Sequence, residues 1–334
     1  MAKVAVVILN WNGVNLLKQY LPSVIEHSQN AEIIIADNGS TDDSIFFLES
    51  HYPNIRIIDN QNNLGFTGGY NKALKQVDAE YYVLLNSDIE VTDNWIEPII
   101  HLIQSDEKIA VCQPKLLSYL EKDKFEYAGA SGGYIDSLGY PFCRGRVFDT
   151  LESDNGQYND TRECFWASGA AMFVRADVYH RFGGLDEEFF AHQEEIDFCW
   201  RVKNEGYKVY VCPDSVVYHL GGGTLNKTSP HKTYLNFRNN LYLLYKNLPK
   251  NKYKRVFIIR LFMDILASFV FFLQGKQGEF NAVYKAYKDF FKRKKYINRT
   301  NQKNINLSSI YKGSIVYDNH IKGIKKFSDF VGLK

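Results

Sequence analysis

Three carboxylates lie close together in the chain, at Glu194, Glu195 and Asp197. If this segment is a helix, Glu194 and Asp197 share a face and Glu195 projects about 100° away from them. Like charges held this close raise the pKa of at least one carboxyl, which suits a general base. Acidic residues are also common in the first turn of ordinary helices, where the helix dipole favours them, and this alternative stays open.

A second chemical candidate is Asn86-Ser87-Asp88, which directly follows an apolar run. A carboxylate at the end of a strand can hold a hard divalent cation such as Mg²⁺ or Mn²⁺, which would bridge the phosphates of a nucleotide. His219 ends another apolar run and precedes three glycines. Beside a metal it would be a ligand, although a lone histidine is usually structural. An ordinary turn capped by Asn or Asp is the alternative at residues 86–88.

Two loops contain residue types that bind nucleotides. In residues 37–43, Asp37 could accept hydrogen bonds from a base N–H or a ribose hydroxyl, while later residues of the loop cap a helix. Residues 63–71 form a glycine-rich turn that opens a helix, where backbone amides attract phosphate. This turn is not Gly-x-Gly-x-x-Gly, because Gly65 and Gly68 are three apart, and no Gly-Lys-Ser/Thr follows. Dinucleotide oxidoreductases and P-loop NTPases are therefore disfavoured.

Alternating strands and helices must position these loops. Predicted strands cover residues 4–9, 32–36, 55–58 and 81–85, and predicted helices cover 16–27, 42–51, 70–76 and 95–104. Strands without polar alternation are buried on both faces, as in parallel sheets, so the repeat predicts an α/β doubly wound domain. Polar loops follow all four strands, at the edge where open sheets of this kind bind ligands.

The pattern weakens after residue 110. Residues 110–161 are rich in Gly, Tyr and short polar stretches, which predicts loops and a small antiparallel region. Residues 164–175 and 208–219 resume a strand-like character, and 182–206 predict a turn that leads into a helix.

Composition and charge limit the class of protein. The 334 residues have an ordinary globular composition, which fits two domains or one with an appendage and excludes a disordered, collagen-like or multi-span membrane protein. Residues 227–334 contain 23 Lys and Arg against 5 Asp and Glu, whereas residues 1–226 contain 17 and 33. We expect the basic tail to face an anionic surface. Five scattered cysteines predict reduced thiols in a cytosolic protein, and the apolar N-terminal run indicates a strand rather than a signal peptide.

Helices are predicted in the C-terminal third. Residues 256–273 are apolar except for Arg260, Asp264 and Ser268, and would rise about 27 Å as a helix, close to the roughly 30 Å of a bilayer core. Arg260 and Asp264 lie four apart and could pair. Since each would cost a few kcal/mol at a bilayer centre, we expect a helix that lies in the membrane plane or packs on the protein. The next helix has an aromatic face beside lysines, which suits an anionic membrane surface or a packed helical subdomain equally well.

In order and spacing, seven segments resemble glycosyltransferase family 2. They are residues 6–13, 36–42, 63–71, 84–88, 166–170, 183–190 and 194–201. The resemblance covers roughly residues 3–245 and looks most like the rhamnosyltransferase-type branch that acts in surface polysaccharide assembly. It implies the GT-A fold, a Rossmann-like and mostly parallel sheet flanked by helices, and sugar transfer with inversion at the anomeric carbon.

The resemblance also implies roles on the donor side. Asn10 and Asp37 would contact the nucleoside, and Asn63, Gly65 and Asn71 would line the same pocket. Asn86-Ser87-Asp88 matches the Asp-x-Asp metal motif of the family, with Asn86 in place of the first Asp. Asp88 would be the main ligand of Mg²⁺ or Mn²⁺, and His219 the second.

On the acceptor side, the resemblance places Trp166, Ser168 and Gly169 near the donor sugar and acceptor. Arg238, in Arg238-Asn239-Asn240, would touch the diphosphate. The Glu-Asp pair that carries the catalytic base in the family matches Glu194-Glu195, with a Glu at the Asp position. We expect Glu195 to be the base, with Glu194 and Asp197 as alternatives.

These expectations define the predicted protein. Residues 1–225 would form the catalytic domain, with a nucleotide-sugar half to about residue 110 and an acceptor half from about 111. Residues 226–300 would form a helical extension that packs or binds a membrane, and 301–334 a tail. The donor would be UDP- or dTDP-linked and the acceptor a glycan or a polyprenyl-linked glycan. The protein would be cytoplasmic, peripheral on the inner membrane surface, and would bind no nucleic acid.

Two alternatives remain from the sequence. A nucleotidyltransferase that makes sugar nucleotides would share the sheet and the metal, but residues 9–17 lack the Lys and Arg expected of its triphosphate loop. A non-catalytic sugar-binding scaffold on a degenerate transferase fold is compatible with Asn86 at the metal motif.

Overall fold

The computed structural model describes residues 3–221, 229–299 and 309–330. Its strands are β1 Val4–Asn10, β2 Glu32–Asp37, β3 Arg56–Asp59, β4 Tyr81–Asn86, β5 Ile89–Val91, β6 Ile109–Ser118, β7 Gly133–Asp136, β8 Pro141–Cys143, β9 Arg146–Val147, β10 Thr150–Leu151, β11 Arg162–Cys164, β12 Ala171–Arg175, β13 Lys208–His219 and β14 Ile310–Tyr311. Its helices are α1 Val14–His27, α2 Ser44–His51, α3 Gly65–Leu74, α4 Glu97–Ser105, α5 Ala176–Arg181, α6 Glu194–Asn204, α7 Pro230–Asn247, α8 Lys250–Leu273, α9 Gln277–Arg293 and α10 Ile315–His320.

A large mixed sheet forms the centre of the molecule. In the described residues its order is β11-β13-β6-β12-β4-β1-β2-β3, with β5 added on β13. β1 pairs in parallel with both β2 and β4, and β2 pairs in parallel with β3. Successive residues of β1 enter different cores, Val6 on one face and Val7 on the other, so this sheet is buried on both sides. The α/β prediction is confirmed.

A long strand, β6, lies where the sequence predicts loops after residue 110. β6 is ten residues long, and its first nine are buried between β12 and β13. The sequence does not show this strand because its apolar run is interrupted by Gln113, Pro114 and Lys115. Inside the protein, Gln113 donates to backbone carbonyls and Lys115 pairs with Asp154 at 2.7 Å. The small antiparallel region is confirmed as β7 to β10, and β14 adds to it in parallel on β7.

Helix α8 packs on the protein through two charged side chains. Arg260 and Asp264 of α8 are 3% and 2% exposed and face the protein, and their predicted pairing is confirmed at 3.5 Å. The guanidinium of Arg260 lies 3.7 Å from the ring centroid of Tyr140, and Tyr287 of α9 donates to Asp264 at 2.8 Å. The helix therefore packs through its polar side.

The outward side of α8 is apolar. Its exposed residues are Ile258, Phe262, Ile265, Leu266, Phe269, Val270, Phe272 and Leu273, each about half exposed or more. Within the described parts of the chain, α8 is the one helix long and apolar enough to cross a membrane, a test of length and composition that core helices of soluble proteins also pass. We call these eight side chains the α8 apolar face.

Candidate active site

The ends of β1 and β2 meet in a polar corner. Asn10 and Asp37 are register partners, and the amide of Asn10 donates to Asp37 Oδ1 at 3.1 Å. The backbone N–H groups of Gly39 and Ser40 donate to the other oxygen of Asp37 at 3.1 and 2.9 Å. Asn10 Oδ1 is buried without a hydrogen-bond partner in the described structure. This corner therefore offers a buried acceptor at the position that the sequence predicts for the nucleoside.

The glycine-rich turn at residues 63–71 is covered by another part of the chain, the loop before α6. Gly65 has φ +70°, and a Cβ there would lie 2.5 Å from the ring of Phe190. The N–H groups of Phe66 and Thr67, in the first turn of α3, donate to the Phe190 carbonyl. The first amides of the predicted phosphate cradle are thus occupied by the loop before α6.

The two asparagines of this turn hold neighbouring segments. Asn63 accepts from the N–H of Gly65 at 2.9 Å, and from the side chain of Asn38. Asn71 makes four hydrogen bonds, to both backbone groups of Leu185, to Tyr179 and to Glu187. Four bonds fill the capacity of an amide side chain, so Asn71 joins α3 to the segment before α6.

Asp88 and His219 are brought together by the sheet. His219 pairs with Ile89 across β13 and β5, and its Nε2 lies 3.1 Å from Asp88 Oδ1. On the other side of the ring, Nδ1 lies 3.3 Å from Oε1 of Glu126. All three side chains are buried. Asn86, at the end of β4, is partly exposed beside them.

Sequence reasoning missed Glu126. It lies between β6 and β7, in a segment that the sequence predicts as loops, and no spacing links it to His219. Burial alone would lower the pKa of His219, but the Glu126 and Asp88 carboxylates outweigh it and raise that pKa to about 10. His219 is therefore charged in this arrangement and would lose its Nε2 proton on binding a metal.

Asp88 and His219 are residue types that bind divalent cations, and they lie close enough to hold one together. In the structure their 3.1 Å separation is that of a hydrogen bond between imidazole and carboxylate. No cluster of three or more His, Cys, Asp or Glu that could hold a metal occurs in residues 3–221, 229–299 and 309–330. Two protein ligands with substrate phosphates as the rest are typical of Mg²⁺.

The three carboxylates of α6 have separate environments. Asp197 accepts from Arg201 and Lys246 at 2.8 Å each and from Asn247 at 2.8 Å. Burial would raise the pKa of Asp197, but Lys246 and Arg201 hold it below its usual value. Asp197 therefore anchors α6 to α7 as a permanent anion, and Glu194 and Glu195 remain as candidates for the base.

Glu194 and Glu195 both hold protons more tightly than free glutamate. Burial and the neighbouring Glu195 raise the pKa of Glu194 well above its ordinary value. Burial raises the pKa of Glu195 to about 7. Glu194 is buried, Glu195 is partly exposed, and one oxygen of each has no hydrogen-bond partner in the described structure. Both carboxyls are therefore easier to protonate than a free glutamate, because burial disfavours their charged forms.

The segment before β12 lies against this pair. A Cβ at Gly169 would be 3.7 Å from the Cβ of Glu195 and 3.4 Å from the ring of Phe66. Ser168 and Trp166, in contrast, are occupied by structure. Ser168 donates to the Ala128 carbonyl at 2.6 Å, and Trp166 is 4% exposed, donating to the Tyr134 carbonyl at 2.9 Å. Of the three predicted residues, Gly169 is in contact with the candidate base.

Arg238 lies on the side of α7 that faces the loop before α6. Its guanidinium donates to the carbonyls of Glu188 and Phe189 at 3.2 and 2.9 Å. A groove of about 360 Å³ opens beside it, lined by Glu187, Glu188, Phe190, His231, Tyr234, Leu235, Arg238 and Arg293. Phe190 also touches Gly65, so this groove adjoins the glycine-rich turn.

Comparisons with known proteins identify the family of this chain. A family model described as Glycosyl transferase family 2 matches residues 5–178, more than half of the chain. The low-salt glycan biosynthesis hexosyltransferase Agl10 of Haloferax volcanii is 24% identical over 242 residues, covering 70% of this chain and 73% of the relative. The N-acetylglucosaminyl-diphospho-decaprenol L-rhamnosyltransferase of Mycobacterium tuberculosis is 24% identical over 235 residues, covering 64% and 75%.

Solved structures share the fold. S. aureus TarS 1-349 in complex with UDP-GlcNAc superposes with a TM-score of 0.57 at 17% identity, covering 87% of this chain and 81% of that one. GalNAc-T7 with UDP, GalNAc and Mn²⁺ superposes with a TM-score of 0.56 at 15% identity, covering 73% and 48%. These likenesses confirm the predicted GT-A fold. Because the family model covers most of the catalytic sheet, this chain belongs to glycosyltransferase family 2 and is a glycosyltransferase of glycan assembly.

Proposed function

We propose that the enzyme moves a sugar from a UDP- or dTDP-linked donor to a hydroxyl of a glycan or polyprenyl-linked acceptor, with inversion, and that Glu195 is the general base. The observation that carries this proposal is the position of Glu195 beside Gly169, where its Oε2 is buried without a hydrogen-bond partner and burial raises its pKa to about 7. A base whose pKa lies near the working pH is the most effective one. Asp197 is paired with Arg201 and Lys246, which favours Glu195 over Asp197 as the base.

The reaction is a single displacement. The acceptor hydroxyl gives its proton to Glu195 while its oxygen forms a bond to the anomeric carbon of the donor sugar. The bond from that carbon to the diphosphate oxygen breaks, and the nucleoside diphosphate leaves with its electron pair. Burial and the adjacent Glu195 raise the pKa of Glu194, which disfavours a second negative charge beside the base.

Asn10 contacts the nucleoside in this proposal, and Asp37 supports it. Asn10 Oδ1, buried and without a partner, is an acceptor for a base N–H. Asp37 is engaged by Gly39 and Ser40, so its contribution is to fix the loop and the amide of Asn10. Asn63, Gly65 and Asn71 shape the same pocket through their protein contacts.

Asp88 and His219 would hold Mg²⁺ or Mn²⁺, with Asn86 beside them. A divalent cation bound there would supply charge neutralisation for the diphosphate leaving group. The proximity of a carboxylate and an imidazole at the ends of neighbouring strands supports this assignment, and Glu126 would orient the imidazole through Nδ1. Solved relatives in fold are complexes with Mn²⁺ and nucleotide sugars, which also supports it.

The acceptor would approach from a lipid surface on the cytoplasmic side. The α8 apolar face and the lysine-rich α9 present apolar and cationic groups in one region, which suits anionic lipid. The mycobacterial relative is named for a decaprenyl-diphosphate-linked acceptor. The groove beside Arg238, with Tyr234 and Arg293, is the proposed entry for the acceptor. Five buried free cysteines fit a reducing compartment.

A melting-temperature panel tests the donor side. UDP, dTDP, GDP and their sugars are added with and without Mn²⁺, and a ligand at 100 times its Kd adds about 2.7 kcal/mol of stability. We expect a metal-dependent shift with a uridine or thymidine nucleotide. A flat panel on folded protein would contradict the donor site.

A transfer assay tests the chemistry. The donors of the panel are offered to N-acetylglucosaminyl-diphospho-polyprenol in vesicles, and release of nucleoside diphosphate is measured. Glu195→Gln is expected to lose about 10²- to 10⁴-fold in kcat. Glu279→Gln, which removes a carboxylate in the first turn of α9, is the matched control. Near-normal transfer by folded Glu195→Gln would remove Glu195 as the base.

A further inference from the structure

The backbone just before the candidate base is held in a strained shape. Phe190 has φ +65° and ψ −57°, and the N–H of Ala191 donates to the Phe189 carbonyl at 2.8 Å, which makes a γ-turn of the rare, strained kind. His192 and Gln193 follow with φ of +70° and +69°. Residues other than glycine adopt such angles only where their surroundings impose them. Something outside this segment must therefore hold it.

Asn239 of α7 provides that restraint. Its side chain is fully buried, and its Nδ2 donates to the carbonyls of Phe189, Ala191 and His192 at 3.0, 2.8 and 2.7 Å. These carbonyls come from either side of the γ-turn. One amide group thus fixes the direction of three peptide units directly before α6.

Asn240 continues the restraint to the last residue before Glu194. Its Nδ2 donates to Gln193 Oε1 at 3.0 Å and to the Gly139 carbonyl at 2.8 Å. Its oxygen accepts from Arg260 of α8 at 2.5 Å. Because Arg260 can only donate, it determines which end of the Asn240 amide faces Gln193. Arg260 is itself held by Asp264 and by Tyr140.

We propose that Asn239 and Asn240 are positioning residues, which hold residues 189–193 in the conformation from which Glu195 presents its carboxylate, and that Arg260 orients Asn240. The inference rests on the proposed role of Glu195 as the base. It assigns to Arg238-Asn239-Asn240 a function through the loop carbonyls rather than through the diphosphate. It also makes α8, at a distance from the donor pocket, part of the support of the catalytic carboxylate.

Few charged groups lie near Glu195, so its pKa depends mainly on how deeply its carboxyl is buried. The pKa of Glu195 can therefore be used to detect a change in its position. On α6 itself, Glu194 and the Cys199 thiol are its neighbours. The segment 165–170 brings no charged residue, and the one charged residue of α3, Lys72, donates to the Asn60 carbonyl. From α7, Lys246 is held by Asp186 and Asp197. His192 is neutral near pH 7, because burial lowers its pKa to about 4. Burial is therefore the main influence on Glu195.

Hydrogen exchange and carboxyl titration test the proposal without any substrate. Amide exchange is followed by mass spectrometry on peptides that span residues 188–198 in the full chain. The Glu195 carboxyl is titrated by NMR with ¹³C-labelled glutamate, assigned with Glu195→Gln. In Asn239→Ala we expect exchange in this segment to rise at least about tenfold and the pKa of Glu195 to fall by about one unit toward that of free glutamate.

A matched control separates positioning from stability. Asn319 of α10 is also a buried asparagine that donates to a backbone carbonyl, that of Ile324. Asn319→Ala should lower the melting temperature and leave both local readouts unchanged. Asn239→Ser, which keeps one hydroxyl donor, should give intermediate values and serves if Asn239→Ala does not fold. Wild-type exchange and an unshifted Glu195 pKa in a folded variant would overturn the proposal.

The test is independent of the proposed activity. If Glu195→Gln retains transfer, the role of Glu195 fails while the exchange data still show whether Asn239 holds the segment. If Glu195→Gln loses transfer and Asn239→Ala moves neither readout, the positioning role fails alone.

Discussion

The Nδ1 of His219 lies 3.3 Å from Oε1 of Glu126, on the side of the imidazole opposite Asp88. A carboxylate in this place fixes the ring orientation of a metal-binding histidine and leaves Nε2 directed at the ion. Glu126 is held in turn by the backbone N–H of Ala128. The proposed metal site would therefore depend on Glu126, a residue that would not itself touch the metal.

Glu126→Gln is expected to weaken Mn²⁺ binding by about 10- to 100-fold, because a neutral amide no longer orients and polarises the imidazole. The measurement is calorimetric titration of Mn²⁺ in the presence of UDP or dTDP. Glu121→Gln, at an exposed residue in the same connection, is the control and should bind Mn²⁺ normally. Equal affinity of Glu126→Gln and wild type would show that Glu126 has no such role.

The rate of transfer should fall on the acid side of about pH 7. Glu195 accepts a proton only when it is ionised, and its raised pKa of about 7 means that the ionised form is present above this pH and is lost below it. We expect kcat near half its plateau at pH 7 and a further tenfold loss for each unit below about 6. The rate is measured at saturating donor and Mn²⁺, because binding of the metal at His219 would itself release a proton. A pH-independent kcat between pH 5 and 8 would contradict the role of Glu195.

Glu195→Gln should make the protein more stable at alkaline pH while removing transfer. A carboxyl whose pKa is raised by folding binds its proton more tightly in the folded state, so stability falls as pH rises from the unfolded value of about 4.3 to 7. The neutral amide avoids this penalty, which we expect to be about 1–3 kcal/mol at pH 8 and near zero at pH 4. Urea unfolding at the two pH values measures it, and equal gains at both would show that the benefit is not electrostatic.

Gly65→Ala should disturb the loop that precedes α6. Two effects add at this residue, a φ of +70° and a Cβ that would lie 2.5 Å from Phe190. Gly206 shares a φ of +88° but has open space at the Cβ position, so Gly206→Ala isolates the cost of the backbone angle. We expect Gly65→Ala to lose about 1–3 kcal/mol more than Gly206→Ala in urea unfolding. Equal losses would mean that Phe190 moves away freely.

Lipid binding should depend on the α8 apolar face. Phe262 and Phe269 are 64% and 54% exposed, and the double substitution to Asp should abolish co-sedimentation with vesicles that contain phosphatidylglycerol. Leu120→Asp, at a leucine 71% exposed elsewhere, is the control and should bind normally. Binding to these vesicles should exceed binding to neutral phosphatidylcholine, because lysines flank the face. Unchanged binding of the double variant would exclude this surface.

The sequence predicts the four parallel strands of the nucleotide-side half, since each contains an apolar run, interrupted in β3 by Arg56, and each is followed by a polar loop. It does not predict the short strand β5. It misses β6, where Gln113 and Lys115 are buried and satisfied by partners that lie far away along the chain. The three carboxylates of α6 look equivalent in the sequence. In the structure Asp197 differs from the other two because Lys246 and Asn247 donate hydrogen bonds to it. These partners lie more than forty residues away, so no local pattern predicts the difference.

The residues that hold the site residues in place are also not predictable from local sequence patterns. Glu126 lies in an irregular connection, and its contact with His219 arises because β6 and β13 run side by side. Asn239 and Asn240 resemble ordinary polar residues of a helix until the carbonyls of residues 189–192 are placed against them. Arg260 and Asp264 were the exception, because a spacing of four on an apolar helix already indicated their pairing.

A helix that buries Arg260 and Asp264 and exposes its apolar side would change which concentration sets the rate of this enzyme. Held at a bilayer by α8, the protein and a lipid-linked acceptor would diffuse in the same plane, and their encounter would be a two-dimensional search. The rate would then follow the number of acceptors per area of lipid, and dilution with empty vesicles would slow transfer at a fixed amount of acceptor per millilitre. The nucleotide sugar alone would arrive from the bulk solution. The rate would therefore depend on the volume concentration of the donor and on the surface density of the acceptor.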